Sequence, residues 1–378
     1  MRDARVDKLA DVIVRYSVGV KKGDLVRLVG EPVSMSLLEA LYEKIIQAGG
    51  HVQFKCQPDS LQDIFYANAN EEQLTYVNPL TVKEIKTIDV SIGIWGDANT
   101  KSLSRVAPDK QRKVSAARKD IMTIFMNRAA NEELRWCGTQ FPTQANAQDA
   151  EMSLREYEDF VFKAGHLDKD DPVAAWQDIE KRQQKVVDYL TGKKEVHFQT
   201  ANGTNLCVNV EGMTWINCGG HENFPDGEVF TGPNLKAADG GVNGYVKYSF
   251  PAVHGGREVD GIELWFEKGE VVKCKAEKNQ SFLEEMLNMD EGAKFVGEVA
   301  IGTNYNIKEY SKNTLFDEKI GGTFHLAVGQ GYPESGNSND SGLHWDMVCD
   351  LRHGGTITVD GEVISKDGVF VFPVWPSA

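Results

Sequence analysis

The period of the hydrophobic pattern changes near residue 191, and this constrains the fold more than any other feature of the chain. Before that point, helical spacing alternates with short apolar runs. Val6, Leu9, Ala10, Ile13 and Val14 predict a helix over 3–17, stopped at Lys22 to Asp24 ahead of a strand over 25–29. Leu37, Leu38, Leu41, Ile45 and Ile46 predict a second helix over 34–48, closed by Gly49 and Gly50 and followed by a strand over 51–56. Buried strands are expected over 90–95 and 121–125, with a helical stretch over 108–117 between them. Helices over 150–164 and 172–190 follow, and the second, with Trp176, Ile179, Val186, Val187 and Leu190 among many charges, reads as a bridge. Strands alternating with helices imply an α/β layer with a largely parallel sheet.

Beyond Thr191 to Lys194 the pattern turns to short strands joined by close turns, at 195–200 and 205–210 around Asn202 and Gly203. Val259 to Gly261 and Val359 to Gly361 read as two further hairpins. With 378 residues, about two domains are expected. The reading is an N-terminal α/β domain over 1–193 and a β-rich α+β domain over 194–378, which holds every strong metal-ligand candidate.

Several classes are set aside by composition. A net charge of -15 argues against nucleic acid as partner, because a phosphate backbone demands a basic face. No run of eighteen apolar residues is present, so no membrane span is expected. The first residues lack the apolar core of a signal peptide, which with six scattered cysteines and no CxxC pair predicts reduced thiols and a cytoplasmic location. Neither GxGxxG nor GxxxxGK[ST] occurs in the first half, so a nucleotide site is not supported.

The chemistry-bearing residues lie in the second half. On the strand containing Thr323, His325 and Ala327, these three share a face, and His344 and Asp346 share one on the next strand. Two imidazoles and a carboxylate suit Zn²⁺ or a similar divalent ion, but more carboxylates are needed to complete a site. Glu228 follows a Pro-Asp-Gly turn at a strand start; alone it reads equally well as a solvated surface residue. Glu298 lies in an otherwise uncharged run between glycines, where a buried carboxylate is costly unless paired or metal-bound. His325 alone reads as a core histidine. Glu318 and Tyr332 flank it, whereas His51, His166, His197, His221, His254 and His353 lack such company and read as surface or structural.

Four ordered motifs carry a resemblance. They are Asn-x-Pro-x-Gly-Glu-Val-x-Thr at 223–231, Gly-Glu-x-Ala-x-Gly-x-Asn at 297–304, Asp-Glu-Lys-Ile-Gly-Gly-Thr-x-His-x-Ala-x-Gly-x-x-Tyr at 317–332, and His-Trp-Asp-Met-Val at 344–348. Together they resemble the family of aminopeptidase T and aminopeptidase S, strongly over 220–350. The resemblance implies two divalent metal ions per subunit, Zn²⁺ or Co²⁺ with Mn²⁺ and Mg²⁺ as alternatives. It implies Glu228, Glu298, His325, His344 and Asp346 as ligands, with Glu318 and Tyr332 at the metal centre. It also implies a homodimer that encloses the active sites. Residues 234–242 depart from the thermophilic pattern, which bears on specificity.

On this reading the chain hydrolyses the N-terminal bond of short unblocked peptides with a metal-activated water. Glu298 bridges the metals, Glu318 is the general base, and Tyr332 ligates or donates to the oxyanion. The rivals are a metal-dependent amidase acting on non-peptide amides and an inactive metal-binding protein.

Overall fold

Apolar runs that alternate with amphipathic helices form the first sheet. The structure, a computed structural model, describes residues 2–371 and 374–375. Its first compact unit comprises Met1–Val173 with Gly220–Pro225, and its second Ala174–Gly219 with Asp226–Ala378.

In the first unit, strands pair in the order His51–Cys56, Leu25–Gly30, Val90–Trp95, Arg135–Gln140 and Asn223–Phe224, all parallel. The helix Met35–Gln47 buries Leu37, Leu38, Leu41 and Ile45, the stripe its spacing predicts. One expectation is corrected here. Residues 121–125 are not a strand but part of the helix Pro108–Ala130, and the strand beside Val90–Trp95 is Arg135–Gln140. Ile121, Ile124 and Phe125 stand at helical spacing and pack against the buried Ile85, Ile88 and Leu134. No glycine or proline interrupts the chain between Ala117 and Ala130 to end the helix. The true strand carries Arg135, Gly138, Thr139 and Gln140, so it has no apolar run to announce it.

The second unit holds an antiparallel sheet running from Glu270–Lys275 through Val242–Lys247 and Glu195–Gln199 to Val369–Phe370. A five-stranded antiparallel sheet pairs His344–Asp350, Thr323–Gly329, Val296–Gly302, Glu228–Thr231 and Ile216–Cys218 in that order. One apolar cluster joins these two antiparallel sheets: Phe198 of the larger stacks on Phe324 of the five-stranded one with ring centroids 4.1 Å apart. Val186, Val187 and Leu190 of the helix Pro172–Leu190 belong to the same cluster. The turn at Asp360 and Gly361 is a two-residue hairpin between Thr356–Val359 and Glu362–Lys366, with positive φ at both positions as that turn type requires. Residues 259–261 are not a hairpin, because Arg257–Val259 pairs backward with Ala252–His254.

Because side chains alternate along a strand, the five-stranded sheet has two unlike faces. Val299, Ile301, Phe324, Leu326, Val328, Trp345, Met347 and Cys349 enter the core. Glu228, Glu298, His325, His344 and Asp346 belong to the opposite face. Pairing sets Ala300 opposite His325 and Ala327 opposite Asp346, so small residues leave room between the larger polar ones.

Among the described residues, no helix is long and apolar enough to cross a membrane.

Candidate metal centre

Glu298 reaches the polar face through a bulge. The register between Val296–Gly302 and Thr323–Gly329 shifts between Val296 and Glu298, so Val296 and Val299 both face the core while Glu298 turns away from it. Only glycine fits the extra position: a Cβ at Gly297 would stand 2.1 Å from the Gln330 carbonyl oxygen. The glycine before Glu298 thus determines where its carboxylate points.

The imidazoles are aimed by backbone carbonyls. His325 Nδ1 lies 3.1 Å from the Glu318 carbonyl oxygen, and His344 Nδ1 lies 2.9 Å from that of Gln330. A carbonyl only accepts, so each Nδ1 carries a proton and donates it, and each Nε2 is turned toward the carboxylates. His325 Nε2 is 3.4 Å from Glu298 Oε1, 3.6 Å from Glu228 Oε2 and 3.9 Å from Asp346 Oδ1. His344 Nε2 is 3.5 Å from Glu298 Oε2 and 3.6 Å from Asp346 Oδ1.

These contacts resolve into two overlapping groups. Ligand atoms of Glu228, Glu298 and His325 lie within 4.8 Å of one another, as do those of Glu298, His344 and Asp346. Glu298 is common to both and gives one oxygen to each imidazole. Glu318, His325 and Asp346 form a further group within the same limit. Glu228 Oε2, His325 Nε2 and Asp346 Oδ1 are buried without a hydrogen-bond partner. Buried polar atoms of this kind are costly, and three converging lone-pair carriers fit a cation.

Electrostatics point the same way. Burial opposes the charged form of both imidazoles, but the carboxylates outweigh it. Glu298, Glu228 and Asp346 lift His325 to about 9, and Asp346 and Glu298 lift His344 to about 10. Burial pushes Glu228 up to about 8 despite Lys319, and Asp346 to about 6 despite His344. Glu298, although buried, lies so close to both imidazoles that it falls to about 2. Without metal, protons take the place of cations in this pocket.

Tyr332 stands beside His344, its ring edge-on with centroids 5.2 Å apart. Burial and then the charges of Glu298 and Asp346 raise its hydroxyl far above the ordinary range, so it stays a donor. The structure thus brings together all seven residues singled out from the sequence. His221 is elsewhere, in the first unit, with Nδ1 3.2 Å from the Ser17 carbonyl oxygen and its ring against Tyr16.

Three neighbours escaped the sequence reading. Lys319, wholly buried, places Nζ 2.9 Å from Glu228 Oε1 and also contacts Glu318 Oε1. Asp226 lies 3.8 Å from the same ammonium, and its ligand atom lies within 4.8 Å of those of Cys218 and Glu228. Gln183, also wholly buried, donates through Nε2 to the Glu228 carbonyl oxygen at 3.0 Å and accepts from Thr303 Oγ1 through Oε1. A charged lysine inside an otherwise ligand-bearing motif was the available signal for Lys319; Asp226 reads as turn chemistry, and Gln183 has no sequence signal.

Comparison with known proteins agrees with this geometry. The family model described as thermophilic metalloprotease (M29) matches residues 2–370. Aminopeptidase 2 of Geobacillus stearothermophilus is 28% identical, with 98% of each chain covered. Aminopeptidase T of Thermus thermophilus is 28% identical, over 89% of this chain and 87% of that one. The solved structure of wild-type AmpT from Thermus thermophilus superposes with a TM-score of 0.83 at 25% identity, covering 97% of this chain and 99% of the other. The chain therefore belongs to the thermophilic metalloprotease (M29) family.

Proposed function

We propose that the protein is a metal-dependent aminopeptidase that removes the N-terminal residue from short unblocked peptides. One observation carries the dinuclear form of this reading: Glu298 offers its two oxygens to two differently placed imidazoles, at 3.4 and 3.5 Å. Glu228 and His325 would hold one divalent ion, His344 and Asp346 the other, with Glu298 shared. Zn²⁺ or Co²⁺ suits this mixture of imidazole and carboxylate, and Mn²⁺ or Mg²⁺ is the alternative. Such ions polarise a scissile carbonyl and make a nucleophilic water available near neutral pH.

The protein's own groups supply the rest. Glu318 takes the proton from the attacking water and delivers it to the leaving amine. Tyr332, held protonated, donates to the developing oxyanion. A carboxylate-rich pocket attracts the free ammonium of an unblocked peptide and so favours attack at the first bond. The working form is a cytoplasmic homodimer.

The test compares a short free peptide with its N-acetylated twin, using chelator-stripped protein with and without Zn²⁺, Co²⁺ or Mn²⁺. Metal-dependent cleavage of the free peptide alone is expected. Equal cleavage of both would replace the aminopeptidase with a broader amidase. Tight metal binding without cleavage of either would make this a binding protein.

A further inference from the structure

Beside Glu228 stand two groups that the proposed reaction does not use, Cys218 and Asp226. Cys218, Asp226 and Glu228 place ligand atoms within 4.8 Å of one another, the geometry of a cation site. A cation already serves them. The Lys319 ammonium is 2.9 Å from Glu228 Oε1 and 3.8 Å from Asp226 Oδ1, and it also grips Glu318 Oε1. Lys319 is 0% exposed and Asp226 1% exposed, so solvent does not screen this pair of charges.

We propose that Lys319 is a fixed cation built into the metal centre: it fills the seat among Cys218, Asp226 and Glu228, and it orients the two glutamates beside it. This rests on the metal-dependent reading above. With Oε1 held by Lys319, Glu228 has only Oε2 to offer the imidazole group, and that is the oxygen left without a partner. Glu318, held through Oε1, likewise keeps one oxygen for proton transfer. Lys319 is a positioning residue. It also keeps exchangeable metal away from the Cys218 thiol, which would otherwise be a strong ligand for Zn²⁺ or Co²⁺.

Two measurements test this. Lys319→Met keeps the volume and removes the charge, whereas Lys319→Arg keeps the charge. In chelator-stripped protein, Lys319→Met should melt roughly 10 °C below the wild type, as expected when one partner of a buried ion pair is removed. Lys319→Arg should recover at least about half of that loss by keeping the charge. Added Zn²⁺ should narrow the gap for Lys319→Met, because a mobile cation then supplies part of the missing charge; a space-filling role would leave the gap unchanged. Co-melting of stripped Lys319→Met with the wild type, or a gap that Zn²⁺ does not narrow, overturns the proposal. If Lys319→Met is insoluble, Lys319→Met/Asp226→Asn, which removes a charge of each sign, should restore folding; its failure also overturns the proposal.

The second measurement uses the wild type loaded with Co²⁺. Visible bands without a thiolate-to-cobalt charge-transfer band are expected. A thiolate band that Cys218→Ser abolishes would put metal in the seat assigned to Lys319. Failure to take up cobalt at all would instead remove the metal-dependent reading, leaving Lys319 to be judged on the metal-free melting alone.

Discussion

Each unit of this protein gathers carboxylates, yet the two gatherings differ in kind. In the first unit Glu31, Asp59 and Asp97 place ligand atoms within 4.8 Å of one another, just beyond the carboxyl ends of parallel strands. All three are partly exposed, and no imidazole joins them. Burial, then Asp59 and Asp97, lift Glu31 to about 8, so a proton relieves the repulsion. In the second unit Glu228, Glu298 and His325 are buried and Asp346 and His344 half-buried, and the two imidazoles have their Nδ1 atoms tied to carbonyls and their Nε2 atoms facing inward. The number of acidic groups does not make a metal site. Fixed lone-pair directions in a place too dry to be satisfied by water do.

The change that breaks this contrast most severely is Glu298→Gln. It should abolish turnover, by more than about 10³-fold for the loss of several kcal/mol of charge stabilisation, and weaken metal retention as well. Steady-state kinetics with metal analysis would check this, and retention of both would remove Glu298 from the shared position.

A smaller loss separates holding metal from moving protons. Glu318→Gln should lower kcat by roughly 10²–10⁴-fold while metal content stays at the wild-type level. A parallel loss of metal would make Glu318 a ligand rather than a base.

Melting of the chelated protein against pH probes the protons that stand in for cations. His325 and His344 hold theirs to about 9 and about 10, against 6.5 for the free side chain. Their contribution is therefore complete below about pH 6.5 and lost as pH rises through those values. The raised value of Glu228, about 8 against 4.5, adds to this decline, whereas Asp346, raised from 3.8 to about 6, loses its share at lower pH. Glu298, lowered to about 2 from 4.5, acts oppositely and only under acid conditions. Stripped protein should thus melt lower at alkaline than at mildly acidic pH, and bound metal should flatten that limb by displacing the protons. A flat alkaline limb in stripped protein would contradict these assignments.

The smallest effect is expected in the other cluster. Asp59→Asn should leave metal content unchanged and move the titration of Glu31 back toward the ordinary carboxylate range, as followed by NMR. Loss of bound metal in that variant would erase the distinction between the two regions.

Much of the second unit was legible beforehand because a strand alternates strictly. His344 with Asp346, and His325 between Thr323 and Ala327, could be assigned to shared faces from spacing alone. Glu298 stood out as a charge in an uncharged run. The strand at 135–140 was not legible, because a buried strand with arginine, threonine and glutamine has no apolar signature, while residues 121–125 read as a buried strand, since a short apolar run does not separate strand from helix by itself, and packing on Ile85 and Ile88 makes them helical.

By itself, then, the sequence determined which residue types were available, which faces they shared along each strand, and the alternation that builds one parallel and one antiparallel region. Only the tertiary structure decided what those residues do to one another. A register shift at Gly297 turns Glu298 toward both imidazoles, two carbonyls select the inward-facing nitrogen, and Lys319, adjacent to Glu318 in the chain, reaches Glu228 ninety-one residues away. Those outcomes depend on cross-strand register and on burial. Both arise between segments distant in sequence, so neither can be read from local spacing.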